Sequence, residues 1–374
     1  MKTTLRFAFA LLALCPMLPA SDANLARQTD AILAALKSKN APGAAVMVLR
    51  KGQAVFEHGY GVTDLRTRRP IDAHTNFRLA SVTKQFTAMS VMLLVHDGKL
   101  RYDERLTDVF PDFPEYGRAI TIRHLLNHTS GLPDYEDLMS PQDADVSPDR
   151  LVQIQDREVL ELLKRQKSTL FAPGSQWRYS NSGYVVLGLV VNKVSGESFG
   201  QFLHDRIFSP LGMRNTLAYE KRKNEVSNRA FGYTHNATGW KETDQSPTSA
   251  TLGDGGVYSS LADLAKWDGA LRNHTLVSEV ETQAATTPVA VPGAGPEEPD
   301  GQTAQYGFGW FLNPYKGYRR MWHYGETVGF RTSIQRFVDD DVTVIVLCNR
   351  ADLEARELAL KVADLYLPGK PSGQ

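Results

Sequence analysis

The two ends of the chain carry apolar runs of strand type, and the middle carries runs of helix type. Residues 24–39 place Leu25, Ile32, Leu33 and Leu36 at helical spacing, and Pro42-Gly43 stops the pattern. Residues 44–49 are apolar and β-branched, Lys51-Gly52 reads as a turn, and 54–62 continues as a second strand, which predicts a hairpin. At the other end, 331–338 and 342–347 flank the polar triplet Asp339, Asp340, Asp341, and 352–367 reads as a closing helix. Between them, 82–96 is apolar nearly all round, the mark of a buried helix, and Asp97-Gly98 stops it. Further helical patterns cover 122–127, 151–164, 183–194 and 199–208. Strands at both ends with helices between predict an α+β fold. One antiparallel sheet would join distant halves of the chain, flanked by terminal helices, with an inserted, mostly helical lobe. The sheet lobe would comprise about 24–80 and 300–367, the helical lobe about 81–299, and 368–374 a tail. The stretch 288–301, with four prolines and three glycines, reads as an exposed loop.

The first residues change the picture of where the protein works. Lys2 and Arg6 precede the apolar stretch Phe7 to Leu14, and small residues follow at Ala20, Ser21 and Ala23. That order describes a secretory signal peptide over 1–23, and the apolar run is far short of the ~20 residues of a membrane span. Cleavage near Ala20 or Ala23 removes Cys15 and leaves Cys348 as the one thiol, so no internal disulfide is expected. Lipid attachment at Cys15 is disfavoured by Leu14, where a small residue belongs. A secreted or periplasmic location follows. The 374 residues hold 42 basic and 42 acidic side chains, with 42% hydrophobic and 22% charged residues. This is globular composition, with length for about two lobes of ~150 residues. Zero net charge gives no electrostatic case for nucleic acid or an anionic membrane as partner.

Three short motifs carry candidate chemistry. Ser81-Val82-Thr83-Lys84 opens the buried helix, so Ser81 and Lys84 project from one face, a turn apart. A hydroxyl beside an amine desolvated among Phe86, Met89 and Leu93 is a nucleophile with a base. Tyr179-Ser180-Asn181 lies just before the helix from Gly183; a tyrosine can relay a proton, and an amide can hold a substrate carbonyl or steady the lysine. His323-Tyr324-Gly325 precedes Glu326 and a strand. Here an imidazole can bind or polarise substrate, Gly325 admits close approach to the backbone, and the Glu326 N–H can join that of Ser81 in holding an oxyanion. Taken singly, each motif is also explained by helix capping or by a structural histidine.

Rival sites are weaker. Gly196-Glu197-Ser198-Phe199-Gly200 fits the nucleophile elbow of α/β-hydrolases, but Ser198 with Gln201 also makes a capping box, and Gly196 is a natural helix terminator. His124 and His128 are spaced like metal ligands, yet no Glu follows His124 as the zinc-protease motif demands. Cys348 ends an apolar strand as a small hydrophobe, and Asp339 to Asp341 read as a charged turn rather than a calcium site.

In this order, in an exported chain, the three motifs resemble those of the serine β-lactamase and penicillin-binding-protein superfamily. The likeness is closest to the branch holding class C β-lactamases, D,D-carboxypeptidases, esterases and D-aminopeptidases. It extends to Phe77-Arg78-Leu79-Ala80, Leu125 to Leu132, Pro173-Gly174, Pro210 to Met213 and Gly253-Asp254-Gly255-Gly256. The resemblance implies that Ser81 is acylated, that Lys84 and Tyr179 share base and acid duty, and that Asn181 contacts the substrate. His323 stands where many relatives carry a lysine, and a histidine is cationic only below about 6.5 unless its surroundings shift it. No match to the class A deacylating Glu is found.

The expected function is hydrolysis through an acyl-enzyme, on peptides with C-terminal D-amino acids such as cell-wall peptides, with esterase or β-lactamase activity as alternatives. The contrasting expectation is a non-catalytic cell-wall binder or sensor. No metal or organic cofactor is expected. Substrate preference would lie in walls at 133–148 and 288–301. A cationic His323 would make turnover of carboxylate-bearing substrates fall between about pH 6 and 8.

Overall fold

The computed structural model describes residues 20–139, 151–291 and 305–369. Nearly all of the expected leader, part of the 133–148 wall and most of the 288–301 loop lie outside the described residues. The helices are α1 (Ala20–Ile32), α2 (Lys84–His96), α3 (Leu106–Val109), α4 (Ile122–Leu126), α5 (Tyr135–Leu138), α6 (Asp156–Lys164), α7 (Asn181–Ser195), α8 (Phe199–Leu203), α9 (Leu261–Arg272), α10 (Glu279–Thr286) and α11 (Ala355–Tyr366). The strands are β1 (Ala44–Arg50), β2 (Gln53–Tyr60), β3 (Phe77–Arg78), β4 (Leu217–Ala218), β5 (Tyr233–Asn236), β6 (Gly239–Glu242), β7 (Val257–Ser259), β8 (Arg320–Thr327), β9 (Phe330–Phe337) and β10 (Val342–Cys348).

The five-stranded sheet runs β2-β1-β10-β9-β8, every pair antiparallel, so the two terminal hairpins do meet through β1 and β10. Alternation explains their continuous apolar sequence. Val46, Val48, Val344 and Val346 pack on one face with residues of α11, while Met47, Leu49, Ile345 and Leu347 pack on the other. Strands covered on both faces need apolar residues at every position. The amide oxygen of Asn349 ties the junction, accepting from the Gly43 N–H at 2.7 Å across 306 positions of sequence. Closure entropy grows only slowly with loop length, so burial in the sheet outweighs it.

One expectation is corrected. The stretch carrying His323 is not a lead-in to a strand but β8 itself, the edge of the sheet. The mostly helical inserted region also holds short strands: β7 pairs with β3 and β4, and β5 with β6. At its centre α7 buries every residue from Ser182 to Val191, as an all-round apolar helix must. Gly196, at φ +79°, ends it in the left-handed region.

Candidate active site

The chain enters the site from β3. Ala80 takes φ +47°, a left-handed conformation costly for a residue with a Cβ. The 3-10 turn Ala80–Thr83 then carries Ser81 to the start of α2. The turn is held from behind by the sheet: Thr332 Oγ1 donates to the Leu79 carbonyl at 2.8 Å. A Cβ on Gly325 would lie 2.1 Å from that same oxygen. The third motif's glycine is therefore required for β8 to pass the backbone beside Ser81, rather than for a ligand to approach.

Lys84 is fully buried. Its Nζ lies 3.0 Å from Ser81 Oγ, 2.8 Å from Asn181 Oδ1 and 3.0 Å from the Asp254 carbonyl oxygen. Burial lowers its pKa to about 8, against the opposing pull of Asp254, Asp134 and Glu136. Asn181 is brought there by α7. Ser180, not Asn181, caps that helix, accepting from the Gly183 N–H at 3.4 Å, which frees the Asn181 side chain for Lys84. The Asn181 N–H donates to Asp134 Oδ2 at 2.6 Å. Tyr179, one residue before the cap, interacts with Ser81 through its hydroxyl, and its ring lies 4.9 Å from Lys84 Nζ. Burial raises its pKa far above the usual phenol value, so it stays protonated. Its ring packs 4.3 Å from His128 and parallel to Phe311 at 6.4 Å.

His323 stands behind this group. It is fully buried, and its Nδ1 lies 2.7 Å from the Tyr324 carbonyl, which can only accept, so Nδ1 carries the proton. Nε2 then accepts from the Tyr306 hydroxyl at 3.0 Å. Desolvation, with Lys84 nearby, lowers its pKa to about 3. The ring is neutral and both nitrogens are engaged, so a cation for substrate does not come from this position. The cleft in front of Ser81 is instead lined by Asn181, Asp254, Glu136, Glu326, Thr251 and Arg78.

Glu326 is exposed, and its backbone faces the right way. Trp322 exchanges both backbone hydrogen bonds with Phe311 on the outer edge of β8. Alternation along an antiparallel strand turns the Tyr324 and Glu326 groups outward too. The Glu326 N–H therefore points from the sheet edge into the cleft that holds Ser81.

The other sequence candidates lie elsewhere. Ser198 Oγ accepts from the Gln201 N–H at 3.3 Å, an exposed cap on α8. His124 caps α4 with Thr121. Cys348 is buried, its thiol pushed up to about 12 by burial. Asp339 and Asp341 pair with Arg319 and Arg272. Those pairs sit in a groove of about 700 Å³ between α9, α10 and the sheet end, larger than the cleft; its hydroxyl nearest an imidazole, Thr282 Oγ1 at 3.3 Å from His274 Nδ1, donates to the Ser278 carbonyl within α10.

Sequence reasoning missed the acids around the lysine. Asp134 and Glu136 follow Leu132-Pro133 directly; burial raises both, Glu136 to about 7, although its side chain also meets solvent. The run Asp134-Tyr135-Glu136-Asp137 was the available signal. His128, at φ +60°, accepts the Ser180 N–H on Nδ1 at 3.2 Å and so positions the second motif.

Residues 25–367 match the family model described as Beta-lactamase. Penicillin-binding protein 4* of Bacillus subtilis (strain 168) is 33% identical over 363 residues, covering 93% of this chain and 77% of that protein. A D-aminopeptidase of Brucella anthropi is 30% identical over 335 residues, covering 87% of this chain but only 59% of the relative. The octameric penicillin-binding protein homologue from Pyrococcus abyssi superposes with a TM-score of 0.79 at 26% identity, covering 92% of this chain and 76% of that one. With a serine, a buried lysine and a tyrosine converging in that fold, the chain belongs to the Beta-lactamase family and is a serine hydrolase.

Proposed function

We propose that the protein is exported and hydrolyses peptides ending in D-amino acids through an acyl-enzyme on Ser81. The observation that carries this reading is the set of partners around Lys84. Asn181 Oδ1 and the Asp254 carbonyl can only accept, so a neutral amine gives its two N–H groups to them and turns its lone pair to Ser81. Lys84 is thus the base, and Tyr179, held as a phenol, the acid.

Ser81 Oγ attacks the substrate carbonyl and passes its proton to Lys84. The oxyanion accepts from the N–H groups of Ser81 and Glu326. Tyr179 hands its proton to the leaving amine and regains one from Lys84 by way of the site's hydroxyls, leaving an ester on Ser81. Water, deprotonated by Lys84, attacks that ester; the acid leaves and Ser81 Oγ is reprotonated. Export rests on the leader-like first residues, and D-peptide specificity on the kinship with penicillin-binding proteins and D-aminopeptidases.

A second reading, release of an N-terminal D-residue, draws support from Glu136 and Glu326 at the cleft, which suit a substrate ammonium. Release of D-alanine from Nα-acetyl-L-Lys-D-Ala-D-Ala, compared with its L,L isomer, tests the main reading. Turnover of the D,D peptide that vanishes in Ser81→Ala is expected. Equal turnover of the L,L isomer, or survival in the mutant, contradicts it.

A further inference from the structure

Arg78 ends β3 three residues before Ser81, and it is 3% exposed. Its Nη2 donates to the Ser249 carbonyl at 3.0 Å. Its Nε and Nη1 are buried without a hydrogen-bond partner among the described residues. The Tyr258 phenol interacts with the guanidinium, but no contact meets full hydrogen-bond geometry, and its oxygen also takes hydrogen bonds from Arg229 at 3.0 Å and Gln245 at 3.4 Å. No carboxylate pairs with Arg78 among the described residues. An arginine cannot shed its charge at any working pH, so this is a permanent cation, buried with two of three nitrogens unanswered. Buried donors are nearly always satisfied, and an uncompensated buried charge is costly.

The location says what would satisfy it. Among the described residues, Arg78 is the one lysine or arginine lining the cleft with Ser81, Thr251 and Glu326. His323, in the third motif, is neutral and enclosed. A buried guanidinium with free N–H groups is matched by a carboxylate, through a charge-assisted hydrogen bond. Glu136, Asp254 and Glu326 repel a carboxylate from the rest of the cleft, leaving the Arg78 end as its place.

We propose that Arg78 binds the free C-terminal carboxylate of the peptide whose carbonyl Ser81 attacks. This rests on the acyl-enzyme reading above and names the group that makes it a carboxypeptidase. The peptide's terminal carboxylate would accept from Nη1, at the end of the guanidinium.

The test compares Nα-acetyl-L-Lys-D-Ala-D-Ala with its C-terminal carboxamide, and p-nitrophenyl acetate as an ester without a carboxylate. In the wild-type protein kcat/KM should favour the free acid over the carboxamide by at least about tenfold. In Arg78→Lys and Arg78→Met the acid should lose on the order of 100-fold, mostly in KM, so that the acid-to-amide ratio collapses towards unity. A wild-type ratio near one overturns the proposal even if both variants fail to fold. So does a parallel fall of acid, amide and ester, which would make Arg78 a support for β3 alone. If Ser81-dependent turnover is absent for all three compounds, the acyl-enzyme reading itself fails, and this assignment with it.

Discussion

The amide oxygen of Asn181 lies 2.8 Å from Lys84 Nζ and fixes which way the lysine's lone pair can point. An oxygen that only accepts must take an N–H, and the Asp254 carbonyl takes the other. The Ser81 hydroxyl is what remains for the lone pair, at 3.0 Å. Desolvation supplies the neutral amine that this arrangement needs.

Turnover should follow that amine. With Lys84 at about 8, kcat/KM for a neutral ester should rise from pH 6 to pH 9 and level off above the lysine's pKa, because the reactive form is the deprotonated one. Asn181→Asp places a carboxylate where the amide was, which favours the ammonium. The rising limb should move to higher pH and activity at pH 7 should fall by about 10–100-fold. A pH–rate profile on both proteins checks the direction.

His323 should not titrate in the working range. The sequence expectation of a fall in carboxylate-substrate turnover between pH 6 and 8 is replaced by no contribution from His323 there, because its folded pKa is about 3. The consequence moves to stability. A histidine whose pKa is lowered on folding contributes stability that is full above its unfolded value near 6.5 and is lost as pH falls towards 3. His128, also lowered well below its usual value by burial, adds in the same sense. Urea unfolding should show lower stability at pH 5 than at pH 7, by up to about 2 kcal/mol for each imidazole, and His323→Gln should remove one share of that loss.

Gly325→Ala should damage the nucleophile's setting without touching a charged group. Its Cβ would meet the Leu79 oxygen and Thr332 Oγ1, so either β8 or the turn carrying Ser81 must shift. Overpacking of this kind costs about 1–3 kcal/mol, visible as a lower Tm together with reduced kcat.

Ser198→Ala should leave turnover unchanged. The hydroxyl caps α8 at an exposed position, so the cost is about 1 kcal/mol of stability or less, read by thermal denaturation.

Much of this was legible in the sequence, for reasons that differ by residue. The terminal strands show themselves because β1 and β10 are buried on both faces and carry unbroken apolar runs. β8 does not, because Arg320 and His323 interrupt its pattern; both are buried polar residues with partners, Asn313 and Tyr306, in the segment just before the strand. Ser81 and Lys84 were legible because one helical turn sets their separation. The roles at 323 and 78 were not. His323 reads as a substrate ligand until Tyr306 and the Tyr324 carbonyl are seen to occupy both nitrogens. Arg78 reads as an ordinary strand residue until its guanidinium is found beside the cleft with two nitrogens unpaired. Such features depend on which side chains share a space, and periodicity carries no information about that.

The most direct test of the account is peptide-mapping mass spectrometry on protein acid-quenched after mixing with benzylpenicillin, run beside Ser81→Ala. The account predicts a covalent adduct confined to the peptide containing Ser81 and absent from the mutant. An adduct on the peptide containing Ser198, or one that persists in Ser81→Ala, would contradict it.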